Sequence, residues 1–204
     1  MGKTTLMVKL MNLDWVNKFH KIIVFCPTFA TDKTWSSLDG QVKSGKIQVI
    51  RKMEENNVRK LWRTYEKKKI RNPDLKEHVL FYFDDCGGDQ GFKTNSPDGV
   101  LNQLCSKGNH ANISMVYVVQ NFIMASTIMR DNAEVFICFL TQTEHTQKHI
   151  YAQFGIGSFK DFKKVLMRAT LGKYNYFVVN RQGPGVADYY HNFKKIDIKE
   201  FNIF

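Results

Sequence analysis

The sequence predicts an α/β fold in which a mostly parallel sheet is flanked by helices. Three observations carry that expectation. Short apolar runs alternate with stretches of helical period along most of the chain, the pattern of βαβ units. Those runs end abruptly in polar or turn-forming residues: Pro27 after 22–26, Asp84-Asp85 after 79–83, and Gln120-Asn121 after 113–119. Finally, Gly2-Lys3-Thr4-Thr5 stands at the mouth of the first helical stretch.

Taken in order, residues 3 to about 19 read as a helix with Leu6, Leu10 and Leu13 on one face, and 22–26 as a buried strand stopped by Pro27. A short helical turn is expected at 35–38 and a strand at 47–50. Residues 53–69 form a helix because Val58, Leu61, Trp62 and Tyr65 fall at i, i+3, i+4 and i+7. Asn72-Pro73 ends it, and the run 79–83 follows as a strand. A glycine-rich loop (Gly87, Gly88, Gly91), a helix near 97–107, the strand 113–119, a helix to about 129 and a strand over 134–140 come next. The last third reads as helices over 144–154 and 159–169, a strand over 174–179 and a tail over 181–204. With no internal repeat, residues 1–204 are expected to form a single domain.

Composition narrows the functional classes. Hydrophobic residues make up 43% of the 204 and aromatic ones 13%, enough for a real core rather than a disordered chain. No apolar run approaches the roughly 20 residues that cross a bilayer, and the N-terminus lacks the order of a secretory signal, so a soluble protein with no membrane partner is expected. Met1-Gly2 is followed by Leu6 rather than the Ser or Thr of a myristoylation motif. Cys26, Cys86, Cys105 and Cys138 lack C-x-x-C spacing and are expected to be free thiols. The formal charge of +11 favours a polyanionic partner.

A phosphate-binding loop needs backbone N–H groups aimed at the phosphates, a lysine for the β and γ oxygens and a hydroxyl for Mg²⁺, all where a helix begins. Gly2, Lys3 and Thr4 supply the last positions of G-x-x-x-x-G-K-[ST], with Thr5 following. On this reading the chain starts inside its own phosphate loop and lacks the first strand. The expected company lies downstream. Asp84, at the end of a buried strand, is assigned to the metal together with Thr4; Asp85 is assigned as the base that polarises the attacking water. Gln120 ends another strand, at the rim where open α/β sheets bind ligands, and is placed to orient that water or the γ phosphate. These residues together describe a P-loop NTPase that uses ATP and Mg²⁺.

From Gly2 to about Asn180 the chain resembles the FtsK/HerA superfamily, and within it the genome-packaging ATPases of large DNA viruses, virophages and related elements. The likeness rests on G-K-T-T, the strand-Pro-Thr segment 22–28, the strand ending in Phe83-Asp84-Asp85, and His110-Ala-Asn-Ile-Ser leading to Gln120-Asn121. Met129-Arg130-Asp131-Asn132 before the strand 134–140 completes it. Where the family carries Arg-His before the sensor strand, this chain has Asn109-His110.

The resemblance implies a RecA-like (ASCE) core and a homo-oligomeric ring that burns ATP to drive double-stranded DNA through the portal vertex of a viral capsid. It also implies a place in the host cytoplasm, at a virus factory, or on the virion. Arg130 is the candidate arginine finger, acting in trans on a neighbour's nucleotide, with Arg168 and Arg181 as further contenders. DNA contacts are expected from the basic set Arg59, Lys60, Arg63, Lys67, Lys68, Lys69 and Arg71, or from the loop 87–93. His145 and His149, at i and i+4, read as surface residues. Two other readings stand beside the motor: a non-catalytic DNA-binding or assembly protein with a lost phosphate loop, and a P-loop phosphotransferase acting on a small substrate.

Overall fold

The computed structural model describes residues 2–52, 54–86, 97–141, 143–182 and 187–197. The glycine-rich loop 87–93 therefore lies outside the described residues. The chain forms two compact units, one of Lys3–Gln120 with Met124–Met129, the other of Met1–Gly2, Asn121–Ile123 and Arg130–Phe204.

The first unit holds a four-stranded sheet in the order β2-β1-β3-β4, all parallel, built from β1 (Lys21–Phe25), β2 (Ile47–Ile50), β3 (Val79–Phe83) and β4 (Ile113–Tyr117). Parallel strands covered on both faces read as continuous apolar runs rather than alternating ones. That is why β3 is buried at every position, and why β1 shows no polar residue after Lys21. One face carries Ile23, Phe25, Val79, Phe81 and Phe83, packed with Val58 and Trp62 of α4 (Glu55–Arg71) and with Val100, Leu101 and Leu104 of α5 (Val100–Lys107). On the other, Ile22, Val24, Leu80 and Tyr82 are equally buried, and the indole of Trp35 meets the Tyr82 ring edge-on.

The opening helix differs from its expectation. Here α1 (Lys3–Leu10) runs into a π-helical stretch, Met11–Trp15, before closing as α2 (Val16–Lys18). Its buried residues are Met7, Val8 and Met11, while Leu13 is 68% exposed. The flexible methionines, spaced i and i+4, take the inward face that periodicity had given to the leucines. A turn over Lys33–Leu38 and α3 (Asp39–Lys43) lie against this helix through Asn12, which accepts from Gln41 and donates to the Ser37 hydroxyl.

The second unit is an antiparallel sheet, β5-β6-β7-β8, of β5 (Val135–Phe139), β6 (Tyr176–Asn180), β7 (Asp188–His191) and β8 (Lys194–Lys195). Residues 188–195, read from sequence as tail, supply its last two strands. Both α7 (Glu144–Phe154) and α8 (Phe159–Thr170) contribute to its core, where Ile150, Phe154, Phe162, Leu166, Phe177 and Tyr189 meet. Ser158 caps α8 by accepting from the Asp161 amide. The C-cap of α7 is Gly155, where a Cβ would run into the Tyr151 ring and stand 2.5 Å from its carbonyl oxygen, so a side chain does not fit. No helix among the described residues is long and apolar enough to cross a membrane.

Candidate functional site

Strand register sets the site. Phe25, Phe83 and Tyr117 stand in one row across β1, β3 and β4, so the residues after them emerge together at the carboxyl rim of the sheet. Two backbone bonds continue the row, from the Asp84 amide to the Phe25 carbonyl (2.9 Å) and from Val118 to Phe83 (2.8 Å). The rim of an open parallel sheet is where such folds hold ligands, since the strand ends and helix N-termini converge there.

Lys3 begins α1 and reaches the same rim: its Nζ donates to the Val119 carbonyl at 3.0 Å, one residue before Gln120. The Thr4 side chain hydrogen-bonds the Asp84 carboxyl. Asp84 is 5% exposed and also accepts from the Tyr82 hydroxyl at 3.1 Å. Burial pushes the Asp84 carboxyl above its ordinary value, and the bonds from Thr4 and Tyr82 work against that rise. An acid buried in this way, with a hydroxyl beside it, is a hard oxygen-donor set of the kind that suits Mg²⁺.

Asp85 turns out of the strand in the left-handed region (φ 55°), which brings its carboxylate into solvent, where it accepts from the Gln120 amide at 3.3 Å. Aspartate tolerates that conformation better than most residues. Lys3, Thr4, Asp84, Asp85 and Gln120 are thus brought together at one rim of one sheet. Thr5 is exposed on the helix beside Thr4. Gly2, with φ 120°, belongs to the second unit, where a Cβ would stand 3.1 Å from the Tyr174 ring and 3.2 Å from that of Phe139.

Arg130 also lies in the second unit, at the end of α6 (Thr127–Asp131), with its guanidinium 5.1 Å from the centroid of the Phe122 ring. Arg181 is committed to structure. It donates to the carbonyls of Ala133, Arg130 and Asp131 and covers the Phe154 ring at 5.1 Å. Its guanidinium serves as a cap on the α6 C-terminus.

Sequence reasoning passed over Tyr82 and the thiols at this rim. Tyr82 sits two residues before Asp84, hence on the same side of the strand, and is the one polar-tipped residue of Val79–Phe83. Cys26 follows β1, with its Sγ 3.4 Å from the Thr28 hydroxyl; burial first, then the Asp84 and Asp85 charges, push its thiol up. Cys86 donates to the Phe25 and Asp84 carbonyls.

Comparison with known proteins places this geometry. The model of the family described as "Poxvirus A32 protein" matches residues 1–179. No curated protein sequence matches the chain. Among solved structures, the genome packaging NTPase B204 of Sulfolobus turreted icosahedral virus 2 in complex with AMP superposes with a TM-score of 0.65 at 14% identity, over 96% of this chain and 94% of that one. The ATP-gammaS complex of the same protein gives 0.65 at 15%, with the same coverage. B204, the DNA-packaging ATPase of Sulfolobus turreted icosahedral virus, gives 0.64 at 16%, over 96% of this chain and 93% of that chain. At such identities the likeness is one of fold.

Proposed function

Since the chain belongs to the Poxvirus A32 protein family, we propose that it is a viral genome-packaging ATPase, a motor that hydrolyses ATP to translocate double-stranded DNA into a capsid. The observation that carries this reading is the meeting of the Lys3 ammonium, the Thr4 hydroxyl, the two carboxylates and the Gln120 amide at the strand ends of β3 and β4. Support also comes from the fold of proteins whose complexes hold ATP analogues.

The roles follow from the chemistry of each group. Gly2, Lys3, Thr4 and Thr5 bind the nucleotide, with the Lys3 ammonium moving from the Val119 carbonyl to the β and γ phosphate oxygens. Thr4 and Asp84 would hold Mg²⁺, which when bound neutralises charge on those oxygens. Asp85 is the base, exposed to the water it must polarise, and Gln120, whose amide lies 3.3 Å from the Asp85 carboxylate, would orient that water. The developing charge on the γ phosphoryl group is met by Lys3 and, from a neighbouring subunit, by Arg130. The working form is a homo-oligomeric ring at the portal vertex, acting in the host cytoplasm at the virus factory or on the virion. A formal charge of +11 suits a DNA partner.

The test is phosphate release by the full chain with and without duplex DNA. DNA-stimulated hydrolysis is expected, falling to background in Lys3→Ala and Asp85→Asn proteins that melt like the parent. Hydrolysis by Lys3→Ala at the parental rate would overturn the reading. Binding of DNA without any hydrolysis would instead favour an assembly protein.

A further inference from the structure

We infer that one face of α4 is a docking track for the phosphate backbone of a duplex. The inference rests on the motor reading and adds where the duplex is held. It starts from a division among the cations of this helix. Between Arg59 and Arg71 there are seven. Three are engaged inside the fold. Arg59 donates to Glu55, to Gln103 and to the Asp98 carbonyl; Lys68 pairs with Glu77 at 3.5 Å and covers the Tyr65 ring; Lys69 donates to the Pro73 and Leu75 carbonyls.

The other four are Lys60, Arg63, Lys67 and Arg71. All are exposed, and among the described residues their side chains form neither an ion pair nor a hydrogen bond. Their spacings of three, four and four residues gather them into a stripe about 80° wide at 3.6 residues per turn. The buried face of Val58, Leu61, Trp62 and Tyr65 lies opposite, and the acids of the helix, Glu55 and Glu66, fall outside the stripe.

The stripe runs for about 16 Å, at 1.5 Å per residue. One strand of a duplex presents about five phosphates over that length, at 3.4 Å of axis each. A row of like charges with regular spacing and no acid within it is complementary to a regularly charged polyanion. A protein interface would want an apolar centre, and among the described residues of the helix the large exposed apolar side chain beside the stripe is Ile70, 72% exposed.

The experiment measures affinity for a random-sequence blunt duplex against salt concentration. Three full-length proteins are compared: the parent, the K60Q/R63Q/K67Q/R71Q variant, and a charge-matched control, K9Q/K33Q/K43Q/K107Q, altered at exposed lysines elsewhere. Each neutralised phosphate adds about 0.9 to the slope of log K against log salt. Loss of the stripe should flatten that slope by up to roughly 3.6 and leave DNA-independent hydrolysis unchanged, while the control loses less than about 1. An unaltered slope in the stripe variant, or an equal loss in the control, overturns the track alone and leaves the motor reading standing. Absence of salt-sensitive binding by the parent overturns both.

Discussion

Asp84 is held at a cost to the fold. Its carboxyl is raised by burial, so carrying a charge at neutral pH works against folding, and the hydrogen bonds from Thr4, Tyr82 and the Asp85 backbone offset part of the penalty. Asp84→Asn keeps an acceptor for Tyr82 and removes the charge. We expect that variant to melt about 2–4 °C higher than the parent, the shift of roughly 1 kcal/mol in a chain of this size, and to lose Mg²⁺-dependent hydrolysis. Differential scanning calorimetry beside a phosphate-release assay checks both, and an unchanged or lower melting temperature would contradict the burial argument. Tyr82→Phe is the complementary change, since the ring stays packed against Trp35 and only the hydroxyl goes. Removing one hydrogen bond to a charged acceptor should cost about 1.5–3 kcal/mol. With its carboxylate less well held, the enzyme should need more Mg²⁺ for half-maximal rate, a readout that simple loss of stability would not move.

At the scale of elements, Arg181 shows how one side chain fastens β6 to α6. It satisfies carbonyls at the helix end that would otherwise lack partners and lies over Phe154 in the same core. Arg181→Ala should destabilise the protein by about 2 kcal/mol through those charge-assisted bonds. In a urea titration the midpoint should fall with little change of slope. Where an element's burial is two-sided, the sequence made it legible. The runs at 22–26 and 79–83 are buried on both faces, the run at 113–119 supplies the half-buried edge strand β4, and the polar residues after β3 and β4, Asp84, Asp85 and Gln120, are the ones that meet at the rim. What escaped has a physical reason in each case. The face of α1 went to Met7 and Met11 because a π-helical stretch shifts the phase that a 3.6 period assumes. The strands at 188–195 contain Asp, His and Lys among their aromatics, so no apolar run marks them. Tyr82 was hidden by its own ring, which reads as core.

For the molecule as a whole, the four cysteines report on folding. Cys26, Cys86 and Cys138 are buried, and Cys105 is pushed up to about 12 by burial. Native protein at neutral pH should release little colour with an aromatic disulfide reagent, and four equivalents after denaturation, with no change on adding reductant beforehand. Rapid reaction of the native chain would show that the cores are looser than described. The division into units has its own outcome. The core of the parallel sheet takes in Ala125 and Met129, and the hydroxyl of Ser126 donates to the buried Asn102 amide oxygen at 2.6 Å, so the first unit borrows residues from beyond the point where the backbone has already left it. A fragment stopped at Gln120 would keep every strand of that sheet and still be unstitched, with a hole where Met129 sat and the Ser126 bond to Asn102 gone. The polypeptide is laced rather than strung, and only a cut beyond Met129 would leave the parallel sheet with all the residues of its unit.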